Sequence, residues 1–316
     1  MARRELGPAA LEVAQAVAGL WPGGEVVLGV SGGPDSLALA LGAKWCAERY
    51  GGVARAVIVD HQLQEGSGDL AAHFSETLSV RGIPAEVRTI DVPRSPDGLE
   101  ASARDARLAA LARDGMPVML GHTLDDQAEQ VFLGLIRGSG ARSLAGIAAR
   151  SSYDVDGAPT TLLRPLLGVR KSTVEQACRE WDIDYWNDPM NTDPAYMRVR
   201  VRDWLAAFEA GVGRDLVPAL SRSAALARAD ADLLDELARE AVDVATDALP
   251  VDAVESLPDA LRWRVLKSWL GRAGGVVAMR HVWAVDELLT GWRGQGPIDV
   301  PGARVVRCEG ELRLVG

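Results

Sequence analysis

Two stretches of this chain combine residue types and spacings that can do chemistry. The first is Ser31-Gly32-Gly33-Pro34-Asp35-Ser36, preceded by the uncharged Val26–Val30 and followed by the helix-favouring Leu37–Tyr50. A buried strand, a glycine turn and a helix start leave unpaired N–H groups at the positive end of a helix dipole, which suits a seat for phosphate, the alternative being an ordinary strand–turn–helix with a Gly-Gly turn. Gly32 and Gly33 let an anion approach the main chain, and Pro34 loses no donor in a first helical turn. Asp35 would repel a bare phosphate, so it fits a bridging Mg²⁺. The second stretch is His122-Thr123-Leu124-Asp125-Asp126-Gln127-Ala128-Glu129. On a helical wheel His122, Asp125, Asp126 and Glu129 share an arc with no basic residue among them. Such crowding asks for a cation or a shared proton, although acids at a helix start account for Asp125 and Asp126 alone.

Further candidates flank these stretches. Asp60-His61 ends the apolar Arg55–Val59 run, where it would face a nucleotide or merely cap a turn. Arg104 and Arg107 share a helix face over Leu99–Arg113, as a phosphate clamp or a solvated face. Arg198, Arg200 and Arg202 follow the turn-rich Asn187–Asp193 segment, and Arg198 and Arg202 share one face. They suit RNA phosphates, a triphosphate, or an exposed amphipathic helix.

The elements needed to position these groups read as an α/β fold. Strands are expected at Val26–Val30, Arg55–Val59, Val87–Ile90, Pro117–Gly121 and Ile183–Trp186, making a doubly wound, mainly parallel five-stranded sheet with helices on both faces. A first helix carries the stripe Leu11, Ala14, Val17 and Ala18. A break near Gly211–Gly213 divides residues 1–212 from 213–316. The second part is mostly helical, with one long helix over Pro218–Ala248, and ends in a β-hairpin, Arg304–Cys308 with Glu311–Val315.

Composition narrows the function classes. With 316 residues the chain can hold two cores. No uncharged apolar run spans a membrane. Cys46, Cys178 and Cys308 are far apart and odd in number with no C-x-x-C, so neither a disulfide framework nor a zinc or iron–sulfur site is indicated. A cytoplasmic protein is expected. The net charge of −10 argues mildly against nucleic acid. Two local stretches run the other way. Arg137–Lys171 is rich in arginine, and Ala260–Arg280 has no acid and contains Trp263 and Trp269.

The Ser31–Ser36 pattern lacks the lysine of a Gly-Lys-Ser/Thr loop and instead resembles the pyrophosphate-loop ATPases, which cleave ATP between the α- and β-phosphates and share an adenine nucleotide α-hydrolase-like fold. With Asp60-His61, Ala103-Arg104 and Arg107, His122-x-x-Asp125-Asp126-x-x-Glu129, Arg137-Gly138-Ser139-Gly140, Arg164-Pro165-Leu166-Leu167 and Asp188-x-x-Asn191-x-Asp193 through Arg202, the chain resembles the bacterial tRNA(Ile)-lysidine synthetases. The tail, from Leu257-Pro258 through Val300-Pro301-Gly302, is similar to that family's substrate-binding domain. Gln130 stands where the family usually has Thr, and Leu108 where an aromatic usually follows the arginine.

The resemblance implies adenylation of the wobble cytidine of a CAU-anticodon isoleucine tRNA, then displacement of AMP by free L-lysine. It implies that Ser31, Gly32, Gly33, Pro34, Asp35 and Ser36 hold ATP and Mg²⁺, with Asp35 on the metal and His61 near the nucleotide. Arg104 and His122 would stabilise the α-phosphate, and Asp126 and Glu129 would bind lysine. Arg198, Arg200, Arg202 and the Trp263/Trp269 stretch would touch tRNA, and relatives suggest a homodimer.

Overall fold

The computed structural model describes residues 6–62, 64, 66–93, 99–138, 140–155 and 157–316; Ser139 and the side chains of Glu100 and Asn191 lie outside the described set. In chain order the elements are α1 (Pro8–Gly19), β1 (Glu25–Val30), α2 (Pro34–Tyr50), β2 (Val53–Asp60), α3 (Ser67–Val80), β3 (Ala85–Thr89), α4 (Leu99–Ala112), β4 (Val118–Met119), α5 (Leu124–Arg137), α6 (Ala141–Leu144), β5 (Arg150–Val155), β6 (Ala158–Leu163), α7 (Lys171–Glu180), α8 (Met197–Val212), α9 (Val217–Ala241), β7 (Ala248–Pro250), α10 (Val251–Glu255), α11 (Asp259–Leu270), α12 (Met279–Thr290), β8 (Ile298–Val300), β9 (Ala303–Cys308) and β10 (Glu311–Val315).

They form two compact units. Met1–Ile136 with Gly146–Ala224 is the first, and Arg137–Ala145 with Ala225–Gly316 is the second.

The first unit is built on a sheet of order β3-β2-β1-β4-β6-β5, parallel except for the antiparallel β5–β6 hairpin at its edge. Side chains alternate across β1 and so divide between two cores. Val26, Leu28 and Val30 pack with residues of α1, α2 and α7. Val27 packs with Val57, Val118 and with Leu108 and Leu111 of α4. Both faces are thus covered, which is why Val26–Val30 carries no polar side chain.

Several expected elements differ. The sheet has six strands, and Ile183–Trp186 is not one of them. That short apolar run instead passes beneath the glycine turn, where the Trp186 N–H donates to the Gly32 carbonyl at 3.0 Å. In α1 the buried stripe is Ala10, Val13, Ala14 and Val17, while Leu11 faces solvent.

The turn expected to separate two domains closes α8, with Gly213 at φ +63°. The compact units part farther on, inside α9, because Val217 and Leu220 in its first turn still pack on the α5–α8 cluster of Ala128, Leu133, Val201 and Leu205. That helix stops at Ala241 rather than continuing to Ala248, and Ala248 opens a strand.

The second unit packs α11 and α12 on an antiparallel sheet of order β7-β10-β9-β8. Its closing hairpin has the expected register, Glu311 opposite Cys308 and Val315 opposite Arg304. Among the described residues no helix is long and apolar enough to cross a membrane.

Candidate active site

In the first sheet the strand order reverses beside β1, between neighbours β2 and β4. Ligands of such sheets bind outside the carboxyl ends of the strands at that point. A cavity of about 650 Å³ opens there, within the roughly 300–1,000 Å³ of small-molecule sites. The chain leaving β1 supplies Ser31 and Asp35, that leaving β2 supplies His61, and that leaving β4 supplies His122 and Asp126.

The turn after β1 is held by its own side chains. The Ser31 N–H donates to Ser36 Oγ at 3.1 Å, and Ser36 Oγ donates to the Gly33 carbonyl at 2.9 Å. Gly32 has φ +81°, and a Cβ there would overlap the Phe74 ring. On the facing side, a Cβ on Gly121 would lie 2.8 Å from the Asp35 carbonyl oxygen. Gly32 is therefore required both by close approach and by its backbone angle, and Gly121 by close approach alone. Phe74, on α3, was not legible as a site residue. It lines the cavity by supporting the turn.

Asp35 is half-buried, and its buried Oδ1 has no hydrogen-bond partner among the described residues. Burial, partly offset by Lys171 and reinforced by Asp126, pushes its carboxyl up to about 7. A buried, unsatisfied carboxylate oxygen beside a phosphate seat is an acceptor suited to a hard divalent cation, so the residues fit Mg²⁺.

Asp60 and His61 part company. Asp60 Oδ1 accepts from the Gln62 N–H at 2.9 Å and from Ser67 Oγ at 2.7 Å, which ties the β2 exit to the first turn of α3. His61 lines the cavity with a buried Nδ1 lacking a described partner. Burial and Arg107 hold its imidazole below the ordinary value.

Of the two arginines on α4, Arg107 reaches the cavity and Arg104 is exposed. The expected pair is thus divided, and Arg107 has the position assigned in advance to Arg104. Burial, with Arg104 and Arg198 nearby, disfavours its cation, and its buried Nε has no described partner. An anion in the cavity would relieve both.

The acidic arc also comes apart. α5 begins at Leu124, so His122 precedes the helix and Thr123 is its N-cap. Asp126 Oδ2 accepts from the Thr123 N–H at 2.7 Å and from Thr123 Oγ1 at 2.8 Å, completing a capping box while Asp126 lines the cavity. Asp125 turns away to accept from the Lys171 N–H at 2.7 Å and to pair with Arg170 at 3.2 Å, so it caps α7. Glu129 is buried against α8, with Arg202 Nε donating to Oε1 at 2.9 Å. Burial raises its carboxyl against the pull of Arg202. His122 is held down to about 4, first by burial and then by Arg164, Arg107 and Arg198, with Asp126 opposing. It is a neutral hydrogen-bonding group near pH 7.

The arginine run on α8 divides as well. Arg200 is exposed, Arg202 binds Glu129, and Arg198 Nη2 donates to Gln130 Oε1 at 3.4 Å.

The basic stretches prove to be largely paired. Arg164 is buried, donating to the Ala148 carbonyl and Ser151 Oγ. Arg142 pairs with Asp232 and Asp235 inside the second unit. There too, Arg262 binds Asp259 and Asp286, Arg264 binds Asp235, and Arg272 binds Asp247. Trp269, expected to touch RNA, is fully buried. Trp263 is half-buried, with its indole N–H on Asp286 at 3.2 Å. Its neighbour Trp283, edge-on at 6.4 Å, is 53% exposed. Cys46 and Cys178 are buried, and burial pushes their thiols up to about 11 and about 12.

Comparison with known proteins gives two family matches. Residues 10–207 match a PP-loop domain, and residues 249–313 match the TilS substrate binding domain. The chain is 47% identical to the tRNA(Ile)-lysidine synthase of Cutibacterium acnes, covering 99% of each. It is 46% identical to that of Streptomyces coelicolor, covering 90% of this chain and 83% of the relative, and 42% identical to that of Thermobifida fusca, covering 92% and 91%. Among solved structures, the U34-tRNA thiolase NcsA from Methanococcus maripaludis with its [4Fe-4S] cluster aligns with TM-score 0.50 at 19% identity, over 74% of this chain and 81% of that one. That likeness concerns the fold alone.

Proposed function

The chain belongs to the tRNA(Ile)-lysidine synthase family, and from that membership we propose that it joins free L-lysine to C2 of the wobble cytidine in a CAU-anticodon isoleucine tRNA, converting ATP to AMP and pyrophosphate. The observation carrying this reading is the convergence, on one cavity at the strand-order reversal, of the Ser31–Ser36 turn with Arg107, His122 and Asp126.

In this proposal the turn's N–H groups and the α2 N-terminus hold the phosphates of ATP, and His61 lies beside the nucleotide. Asp35 would hold Mg²⁺, which shields phosphate charge when bound. Adenylation forms a bond from the cytidine O2 to the α-phosphorus and expels pyrophosphate. The charge that develops there needs donors fixed in advance. Arg107 and Arg198 supply positive charge, and neutral His122 supplies a hydrogen bond. This moves the arginine role from Arg104 to Arg107.

Lysine then attacks C2, and AMP leaves with the oxygen. Asp126 and Glu129 hold its amines, and a carboxylate there also favours loss of the proton that the attacking amine must shed. Exposed Arg200 and Trp283, with Trp263 behind it, suit tRNA phosphates and bases. These substrates place the enzyme in the cytoplasm. Sulfur insertion, the rival chemistry on this fold, needs a reactive cysteine pair, and Cys46 and Cys178 are buried thiols with raised pKa.

The test is AMP release from ATP with no addition, with lysine, with the CAU-anticodon tRNA, and with both. AMP that requires the tRNA, together with labelled lysine entering the RNA, is expected. AMP in the absence of tRNA, or an RNA product that never contains lysine, overturns the reading.

A further inference from the structure

Neighbouring residues Glu129 and Gln130 on α5 each grip an arginine of α8, and the two arginines lie one turn apart. Arg202 meets a carboxylate, with Nε donating to Glu129 Oε1 at 2.9 Å. Arg198 meets an amide, with Nη2 donating to Gln130 Oε1 at 3.4 Å. Both grips fix a guanidinium, but their electrostatics differ. The buried carboxylate of Glu129 cancels the charge of Arg202. A neutral amide orients Arg198 and leaves its full charge in place, and among the described residues Arg198 makes no ion pair. Gln130 lies one turn along α5 from Asp126, which lines the cavity, so this grip holds Arg198 on the cavity side of the helix. Its charge disfavours the protonated forms of both His122 and Arg107.

We propose that Gln130, which no family motif accounts for, is a positioning residue. It holds Arg198 against α5 as an uncompensated cation facing a phosphate group in the reaction, while Glu129 withdraws Arg202 from that task. The neutrality of residue 130 is what matters. A carboxylate would hold Arg198 better and silence it.

The inference rests on the synthetase reading for the identity of the phosphate, which comes from ATP or from the tRNA backbone. Three variants separate charge from contact. Gln130→Glu keeps the shape and the acceptor but adds a negative charge. Gln130→Thr and Gln130→Ala remove the reach without adding charge. Steady-state kinetics are measured with ATP, tRNA and lysine varied in turn, after circular dichroism and melting show each variant folded. Gln130→Glu is expected to lower kcat/KM at least ten-fold for the substrate whose phosphate Arg198 meets, leaving KM for lysine within two-fold. Gln130→Thr and Gln130→Ala are expected to lose less than Gln130→Glu. A loss confined to ATP identifies the triphosphate, and one confined to tRNA identifies the RNA backbone. Equal losses in all three variants would mean that only the contact matters and would overturn the proposal, as would a Gln130→Glu enzyme within two-fold of wild type. Equilibrium binding of ATP and of tRNA to the same variants, without lysine, decides the point independently of lysine transfer. Failure of the wild type to modify tRNA therefore remains distinct from failure of this inference.

Discussion

Glu129 and Arg202, 73 residues apart in sequence, form an ion pair in which Glu129 is buried and Arg202 remains 44% exposed. Only one carboxylate oxygen is used. The other, Oε2, is buried without a described partner. A buried carboxylate with a spare oxygen is costly unless something cationic completes it, which is the property expected of a site for a lysine ammonium. Replacing Glu129 by Gln is therefore expected to raise KM for lysine at least ten-fold while leaving KM for ATP within about two-fold. Stability should change by only about 1 kcal/mol, because Arg202 can turn to solvent. An unchanged KM for lysine would remove Glu129 from the lysine site.

Asp35→Asn tests the phosphate seat. The amide keeps the volume but not the anionic oxygen aimed at a cation. AMP formation is expected to fall by at least 100-fold, with melting temperature maintained or raised because a buried charge without a partner is gone. Turnover comparable to wild type would show that Asp35 is only a helix-start residue.

Gly32→Ala tests the close approach to Phe74. The added methyl group meets the ring, and φ +81° is unfavourable for alanine. A loss of about 2 kcal/mol or more in stability is expected, with loss of ATP binding. Shortening the ring with Phe74→Leu in the same chain should recover part of the stability, because only the steric component is relieved. Denaturant titration measures both.

His122 gives the protein a pH signature. Its imidazole titrates near 4 in the fold and near 6.5 when unfolded. Below about 6.5 the unfolded chain takes up a proton that the folded protein refuses until about 4, so stability falls as pH drops through that window, by at most about 3 kcal/mol. His122→Asn should flatten this part of the stability profile. Bound nucleotide should move the imidazole upward, since an anion offsets the arginines that depress it. Nuclear magnetic resonance titration of the histidine, with and without ATP, reads both shifts.

Trp269 of α11 and Trp283 of α12 should behave oppositely. Trp269→Ala removes a fully buried side chain and is expected to cost about 3–5 kcal/mol, with any loss of tRNA affinity following unfolding. Trp283→Ala on α12 should melt near the wild type but bind tRNA more weakly. Equal tRNA affinity for wild type and Trp283→Ala would exclude the indole from the RNA surface.

The chemistry of the site was legible where it depends on neighbours in sequence. An uncharged strand, two glycines and a helix start at Ser31–Ser36 make the strand–turn–helix at the cavity, because the backbone angles, the free N–H groups and the dipole all arise locally. The alternating two-sided burial of β1, most helix positions and the final hairpin followed from periodicity in the same way. Tertiary structure decided whatever depends on which distant group arrives. Asp125, Asp126 and Glu129 are similar as sequence, yet one caps α7, one caps its own helix beside the cavity, and one binds Arg202. Arg104 and Arg107 share a helix face, and only the packing of α4 on the sheet brings Arg107 to the cavity. The acid-free Ala260–Arg280 segment looked like an RNA patch until Asp235, Asp247 and Asp286 reached it from elsewhere in the chain. Local propensity acts over a few residues, whereas Coulomb attraction and desolvation act through space. The division between what could be read in sequence and what required the fold follows that difference in range.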